Sequence, residues 1–142
     1  MNYPFEKAVA SPEETKELAG AFANQINSGQ PVVLNGELGS GKTFFVKQAC
    51  NVWGITNVSS PSFAIVNNYN NTKPVYHFDF YRIKNREELF DIGFNDYLND
   101  TEAVIFIEWG NLIPEILPKR RIEINIEILE DTKRFFRFIK YG

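Results

Sequence analysis

Gly36-Glu37-Leu38-Gly39-Ser40-Gly41-Lys42-Thr43 is the stretch of this 142-residue chain whose residue types and spacing most directly imply chemistry. It fits the pattern G-x-x-x-x-G-K-[ST] in full, which is that of a P-loop. Glycines let a backbone turn its N–H groups inward around phosphate oxygens, in conformations a Cβ resists. A helix starting at the end of the loop aims its positive pole at the same oxygens. Lys42 supplies a cation for β and γ phosphates, and the Thr43 hydroxyl is placed to ligate Mg²⁺. Glu37, Leu38, Gly39, Ser40, Gly41, Lys42 and Thr43 are therefore the expected nucleotide contacts, and the ligand is a nucleoside triphosphate with Mg²⁺.

Such a site also needs an acidic residue at the end of a nearby strand, to hold Mg²⁺ directly or through water. Two residues qualify. Asp79 ends the run Val75-Tyr76-His77-Phe78, and Glu108 ends Ala103 to Ile107. One would join the metal sphere and the other orient an attacking water; spacing alone does not rank them. Lys42, Asp79 and Glu108 form the candidate catalytic set, with Thr43, Glu108 and Asp79 as candidate metal ligands. The hydroxyl-rich loop Ser59-Ser60-Pro61-Ser62 follows the P-loop helix, where a loop can sense a γ phosphate; it also fits an ordinary turn. Trp109, directly after Glu108, fits either the core or the nucleotide's surroundings.

These residues need a scaffold. Ser11, Pro12 and Glu14 predict a helix start with a capping box, and Leu18, Ala19, Phe22, Ala23 and Ile26 continue at helical spacing. Pro31 to Asn35 reads as a buried strand, and Lys42 to about Trp53 as the P-loop helix. Phe63 to Tyr69 and Val75 to Tyr81 read as strands. Asn85 caps a short helix over Arg86 to Asp91, which Gly93 breaks, and a second short piece carries Phe94, Tyr97 and Leu98. Ala103 to Ile107 is another buried strand. Pro114 and Pro118 bracket an irregular stretch. Ile122, Ile124, Ile126 and Ile128 alternate with polar residues, the period of a strand with one buried face. Glu130-Asp131-Thr132 turns the chain, and Arg134 to Tyr141 returns as a hairpin. The expected class is α/β: a P-loop NTPase-like three-layer fold with a mixed, mainly parallel sheet and a C-terminal β-hairpin, in one domain spanning residues 1–142.

Composition narrows the function classes. The net charge of −3 argues against a domain whose main task is gripping nucleic acid. Charge is uneven: residues 119–142 carry seven Lys/Arg against four Asp/Glu, and residues 1–118 carry eight against fourteen. That tail fits a contact to phosphate or to an acidic partner, and fits still better a hairpin at a sheet edge, where Lys and Arg discourage aggregation. A single cysteine, Cys50, excludes an intrachain disulfide, and a single His77 excludes a multi-histidine metal site. No apolar run approaches a membrane span and no signal peptide opens the chain, so a cytoplasmic protein without a membrane role is expected. The 13 Phe residues read first as core. Without an N-K-x-D element a GTPase is disfavoured, and without L-S-G-G-Q so is a transporter-type ATPase.

The sequence resembles one family closely: TsaE, also called YjeE. The likeness rests on the Gly36–Thr43 loop, Ser60-Pro61-Ser62-Phe63, His77-Phe78-Asp79-Phe80-Tyr81-Arg82, Glu88-Leu89 through Gly93, and Ile107-Glu108-Trp109. It implies a parallel core that carries antiparallel strands, with ATP and Mg²⁺ as ligands. It assigns Thr43 and Glu108 to the metal site and Asp79 to metal binding or water activation. It brings a basic residue of the hairpin, Lys133 or Arg134, near the nucleotide. It implies action with the TsaD and TsaB proteins in threonylcarbamoyladenosine modification of tRNA next to the anticodon. The tRNA is then reached indirectly, and slow ATP hydrolysis resets the assembly. Ser62 stands where the family more often has Thr, and Ser40 where Ala is frequent. Two other readings stand behind this one: a small-molecule kinase of the P-loop class, and a nucleotide sensor that does not turn ATP over.

Overall fold

The computed structural model describes residues 1–60 and 64–142. The elements in chain order are β1 (Phe5–Val9), α1 (Pro12–Gln25), β2 (Pro31–Asn35), α2 (Lys42–Asn51), β3 (Val66–Asn70), β4 (Pro74–Asp79), α3 (Glu87–Asp91), α4 (Phe94–Leu98), β5 (Val104–Glu108), β6 (Arg121–Glu130) and β7 (Lys133–Tyr141). They build one seven-stranded mixed sheet in the order β1-β7-β6-β2-β5-β4-β3. The middle is parallel: β2 pairs with β5 and β6, and β4 pairs with β5. The flanks are antiparallel, with β3 on β4 at one side and β6, β7 and β1 at the other.

Helices lie on both faces, and strand alternation sorts the core into two clusters. Val32, Leu34, Val75, Val104 and Phe106 face α1 and α2 together with Ile122, Ile124, Ile126, Phe136 and Phe138. Val33, Phe78, Ile105 and Ile107 face the opposite way, onto Phe80, Leu89 and Phe94. This is the three-layer arrangement expected from the sequence. Phe22, Phe45, Phe136 and Phe138 stack ring on ring at 5.5–6.3 Å between centroids, so the aromatic content is largely core. Cys50 is buried among these groups, and burial pushes its thiol up to about 12, which leaves it unreactive near neutral pH.

Local signals account for the ends of the elements. The Ser11 hydroxyl accepts the Glu14 N–H at 3.2 Å, and the Glu14 carboxylate accepts the Ala10 N–H. Asn85 Oδ1 accepts the Glu88 N–H at 3.3 Å from two residues ahead of α3, which begins at Glu87 rather than at the expected Arg86. Gly93 turns left-handed at φ 76° and separates α3 from α4. The stretch after β5 forms two short 3₁₀ turns, Gly110–Leu112 and Pro114–Ile116.

Several expectations are corrected. The segment Phe5–Val9 is a strand that the sequence reading does not contain. Only Val9 in it is buried, so it carries no alternation, and pairing with β7 alone defines it. The β6–β7 hairpin consequently is not an edge: β6 lies between β2 and β7, and β1 covers β7. Ile128 does not share the buried face of Ile122, Ile124 and Ile126; it is 38% exposed, beside a bulge near the hairpin turn. Strand β3 begins at Val66 and β4 ends at Asp79. The expected loop residues Pro61 and Ser62 and the expected strand start at Phe63 lie outside the described residues. Among the described residues, no helix is long and apolar enough to cross a membrane.

Candidate nucleotide site

Strand β2 delivers the chain to Gly36, and α2 starts at Lys42, so the P-loop bridges a central parallel strand and a helix N-terminus. Two glycines have specific reasons. A Cβ on Gly36 would sit 2.5 Å from Ser40 Oγ and 2.8 Å from the Ile126 carbonyl oxygen, too close for any side chain. Gly41 caps α2 in the left-handed region at φ 104°, and a Cβ there would meet open space within the loop. The first is a packing requirement and the second a conformational one.

Lys42 is 5% exposed. Its Nζ donates to the Gly36 carbonyl at 2.6 Å and the Glu37 carbonyl at 3.0 Å, and lies 4.1 Å from the centroid of the Trp109 ring. Burial lowers its pKa from the ordinary lysine value, while the Glu108 and Asp79 carboxylates push it back up. Trp109 itself adopts a left-handed backbone at φ 61° and packs on Tyr81 at 5.0 Å, so it belongs to the site's wall.

The two strand-end acids stand side by side, because Asp79 on β4 is in register with Glu108 on β5. Glu108 is 2% exposed, and Thr43 Oγ1 lies 2.8 and 3.0 Å from its two carboxylate oxygens. A third group reaches the same carboxylate: His77 Nε2 is 2.5 Å from Glu108 Oε2. Asp79 accepts the Tyr81 N–H at 2.9 Å and the Ser60 hydroxyl at 3.3 Å. Burial raises its pKa above the ordinary aspartate value, and the neighbouring Glu108 charge adds to the rise, against those hydrogen bonds.

Lys42, Thr43, Asp79 and Glu108 line one cleft of about 530 Å³, with Leu38, Gly39 and Gly41 of the loop on its wall. Arg82 and Glu88, which the residue-by-residue reading left without a role, line it as well. The donor set is all oxygen. Among the described residues no group of three or more His, Cys, Asp or Glu could hold a metal by itself. A hydroxyl with one or two carboxylates fits Mg²⁺, which keeps waters and takes the rest of its octahedron from substrate phosphates.

The hairpin cations divide. Lys133 turns to Glu130 at 3.1 Å, on the surface. Arg134 reaches the loop: Nε donates to the Ser40 carbonyl at 3.2 Å and Nη2 to the Gly39 carbonyl at 3.3 Å, while Nη1 donates to the carbonyls of Asp131 and Lys133. It also lines a side pocket of about 170 Å³ with Pro12, Thr15, Ser40, Phe44 and Thr132. Glu37 contributes its carbonyl to Lys42. His77 is the residue that sequence reasoning missed. A lone histidine in an apolar strand reads as core. The available signal was parity, since Val75, His77 and Asp79 share one face of β4 as Val104, Phe106 and Glu108 share one face of β5.

Comparison with known proteins is consistent in direction. The family described as "Threonylcarbamoyl adenosine biosynthesis protein TsaE" matches residues 9–136. A tRNA threonylcarbamoyladenosine biosynthesis protein TsaE from Bacillus subtilis is 39% identical over 134 residues, covering 93% of this chain and 83% of that protein. One of the same name from Rickettsia prowazekii is 40% identical over 129 residues, 87% of each chain. The crystal structure of B. subtilis YdiB superposes with a TM-score of 0.81 at 32% identity, covering all of this chain and 88% of the other.

Proposed function

The chain belongs to the TsaE family of tRNA threonylcarbamoyladenosine biosynthesis, and from that premise we propose that it is a Mg²⁺-dependent ATPase acting in the cytoplasm with the TsaD and TsaB proteins. The observation that carries the reading is the meeting of Lys42, Thr43 and Glu108 at the junction of P-loop, α2 and β5. In this reading Gly39, Gly41 and Thr43 offer backbone N–H groups to the phosphates, while the Ser40 N–H closes the loop on the Glu37 carbonyl at 3.0 Å. Lys42 exchanges its loop carbonyls for β and γ phosphate oxygens. Bound Mg²⁺ would be held by Thr43 and Glu108 and would neutralise charge on the phosphates. Asp79 lies beside Glu108 and lines the cleft, where its carboxylate would hold a water for the γ phosphate or join the metal ligands. The side pocket next to Ser40, walled by Pro12, Phe44 and Arg134, offers room beside the loop for part of the nucleotide. The tRNA is reached through the partners, and hydrolysis serves that assembly.

ATP hydrolysis by the purified chain, alone and with TsaD and TsaB, tests the proposal. Slow turnover that rises with the partners is expected, with Glu108→Gln losing turnover far more than ADP affinity. Turnover indifferent to the partners would separate the chain's ATPase from their reaction. Turnover unchanged in Glu108→Gln would refute the metal assignment. A phosphotransferase reading draws on Arg82 in the cleft wall, since an arginine near the phosphates suits group transfer. It requires a soluble acceptor that speeds ADP formation, and a screen without one removes it.

A further inference from the structure

Behind the strand-end carboxylate stands a side chain that does not line the phosphate cleft. His77 occupies the middle of β4 and is 0% exposed. Its face of the strand carries Val75, part of the apolar layer under α1 and α2. Its Nε2 contacts Glu108 Oε2, the oxygen that Thr43 Oγ1 also approaches at 2.8 Å. A carboxylate only accepts, so Nε2 carries the ring proton. That leaves Nδ1 buried and with no hydrogen-bond partner among the described residues.

An unpartnered ring nitrogen in an apolar layer is a cost that a leucine or phenylalanine of similar volume would not incur. Strand alignment does not require the histidine either. Strands β4 and β5 are paired along their length, with His77 opposite Phe106 and Asp79 opposite Glu108. What the histidine adds is its bond to Glu108. The end torsion of a glutamate is broad and roughly two-fold, so one hydroxyl contact leaves the carboxylate free to swing. A second donor, from the neighbouring strand β4, removes that freedom.

We propose that His77 is a positioning residue: its Nε2–H fixes the Glu108 carboxylate against Thr43, so that the two oxygen donors are set for a divalent cation before it arrives. The inference rests on the Mg²⁺-nucleotide reading above. Hydrogen bonds to metal-ligating groups change metal affinity by about 10–100-fold when removed.

The test is ADP binding by calorimetry to the whole chain, first in EDTA and then across a Mg²⁺ series. In the wild type Mg²⁺ is expected to tighten ADP binding. His77→Leu removes the bond and keeps the volume. It is expected to bind ADP in EDTA within about twofold of wild type, and to need roughly 10–100-fold more Mg²⁺ for half of the tightening. His77→Gln, whose amide can place an N–H near the same point, is expected to recover part of that loss. A His77→Leu protein with the wild-type Mg²⁺ midpoint overturns the inference. So does a pair of variants that lose ADP binding equally with and without Mg²⁺, since that marks a merely structural side chain. A wild type whose ADP binding ignores Mg²⁺ would instead overturn the Mg²⁺-nucleotide reading itself, and the two failures are thereby told apart.

Discussion

Replacing Arg134 with alanine tests whether this arginine holds the loop or only the ligand. Its guanidinium makes four bonds to backbone carbonyls: two to the P-loop, at Gly39 and Ser40, and two to the hairpin turn, at Asp131 and Lys133. A charged donor on a carbonyl contributes about 1.5–3 kcal/mol where buried. Here the side chain is half-buried and the loop bonds are long, at 3.2 and 3.3 Å, so the set together should contribute about 2 kcal/mol. For a chain of this length 1 kcal/mol shifts the melting temperature by about 3–4 °C, so Arg134→Ala should melt about 6–8 °C lower without any nucleotide. Nucleotide affinity should fall by about tenfold, about 1.4 kcal/mol, because the ligand must then order the loop itself. Arg134→Lys keeps the charge but not the fork, and should recover little of the melting temperature. Differential scanning calorimetry without ligand, followed by ADP titration, reads both numbers. An unchanged ligand-free melting temperature with affinity restored by lysine would refute the loop-holding argument and make Arg134 a ligand contact only.

Lys42→Met should weaken ATP binding by about 100-fold, the loss of a charge-assisted bond of about 3 kcal/mol, as measured by calorimetry. Gly36→Ala should cost about 2–3 kcal/mol in urea unfolding, because its Cβ would meet the Ile126 carbonyl, part of the backbone, at 2.8 Å. Asp79→Asn should raise the melting temperature near neutral pH by a few degrees, as functional-site replacements often do. Burial raises the folded-state pKa of Asp79, so the folded chain holds that proton more tightly than the unfolded one. Its ionisation therefore costs stability as pH climbs from below the ordinary aspartate value through the raised one. Melts across that range should show the variant's advantage at pH 7 and its disappearance in acid; an advantage independent of pH would refute the cause.

The parts of this molecule legible in its sequence are those written locally. The P-loop pattern, the capping of α1 by Ser11 and Glu14, and the apolar runs ending in Asp79 and Glu108 each need only neighbouring residues to be read. The family likeness, the three layers and the mixed sheet follow from them. Strand β1 was not legible because nothing in Phe5-Glu6-Lys7-Ala8-Val9 alternates; β7 makes it a strand from 125 or more positions away. The same long-range pairing moved the basic hairpin from the edge into the sheet. The family likeness singled out Lys133 or Arg134 of the hairpin, but not the bonds Arg134 donates to the carbonyls of Gly39 and Ser40, since backbone acceptors leave no trace in residue type. His77 was hidden for a related reason. Its partner is set by parallel register between β4 and β5, which only the fold supplies.

That register also explains the site's charge balance. Parallel pairing ends β4 and β5 together, which places two carboxylates next to each other at the mouth of α2. Like charges side by side oppose each other, and the pKa of Asp79, raised first by burial, is raised further by the Glu108 charge. Lys42 answers it only in part, because its ammonium is desolvated and divided between two loop carbonyls and the Trp109 ring. Thr43 and His77 answer it with hydrogen-bond donors. In the proposed reading a further cation with hard oxygen preferences completes the balance, one whose remaining ligands arrive with it, since the described protein groups are few. A nucleotide bringing Mg²⁺ on its phosphates meets both conditions at once. Neither the anion nor the metal alone does, which is the physical reason to expect their binding to be strongly coupled here.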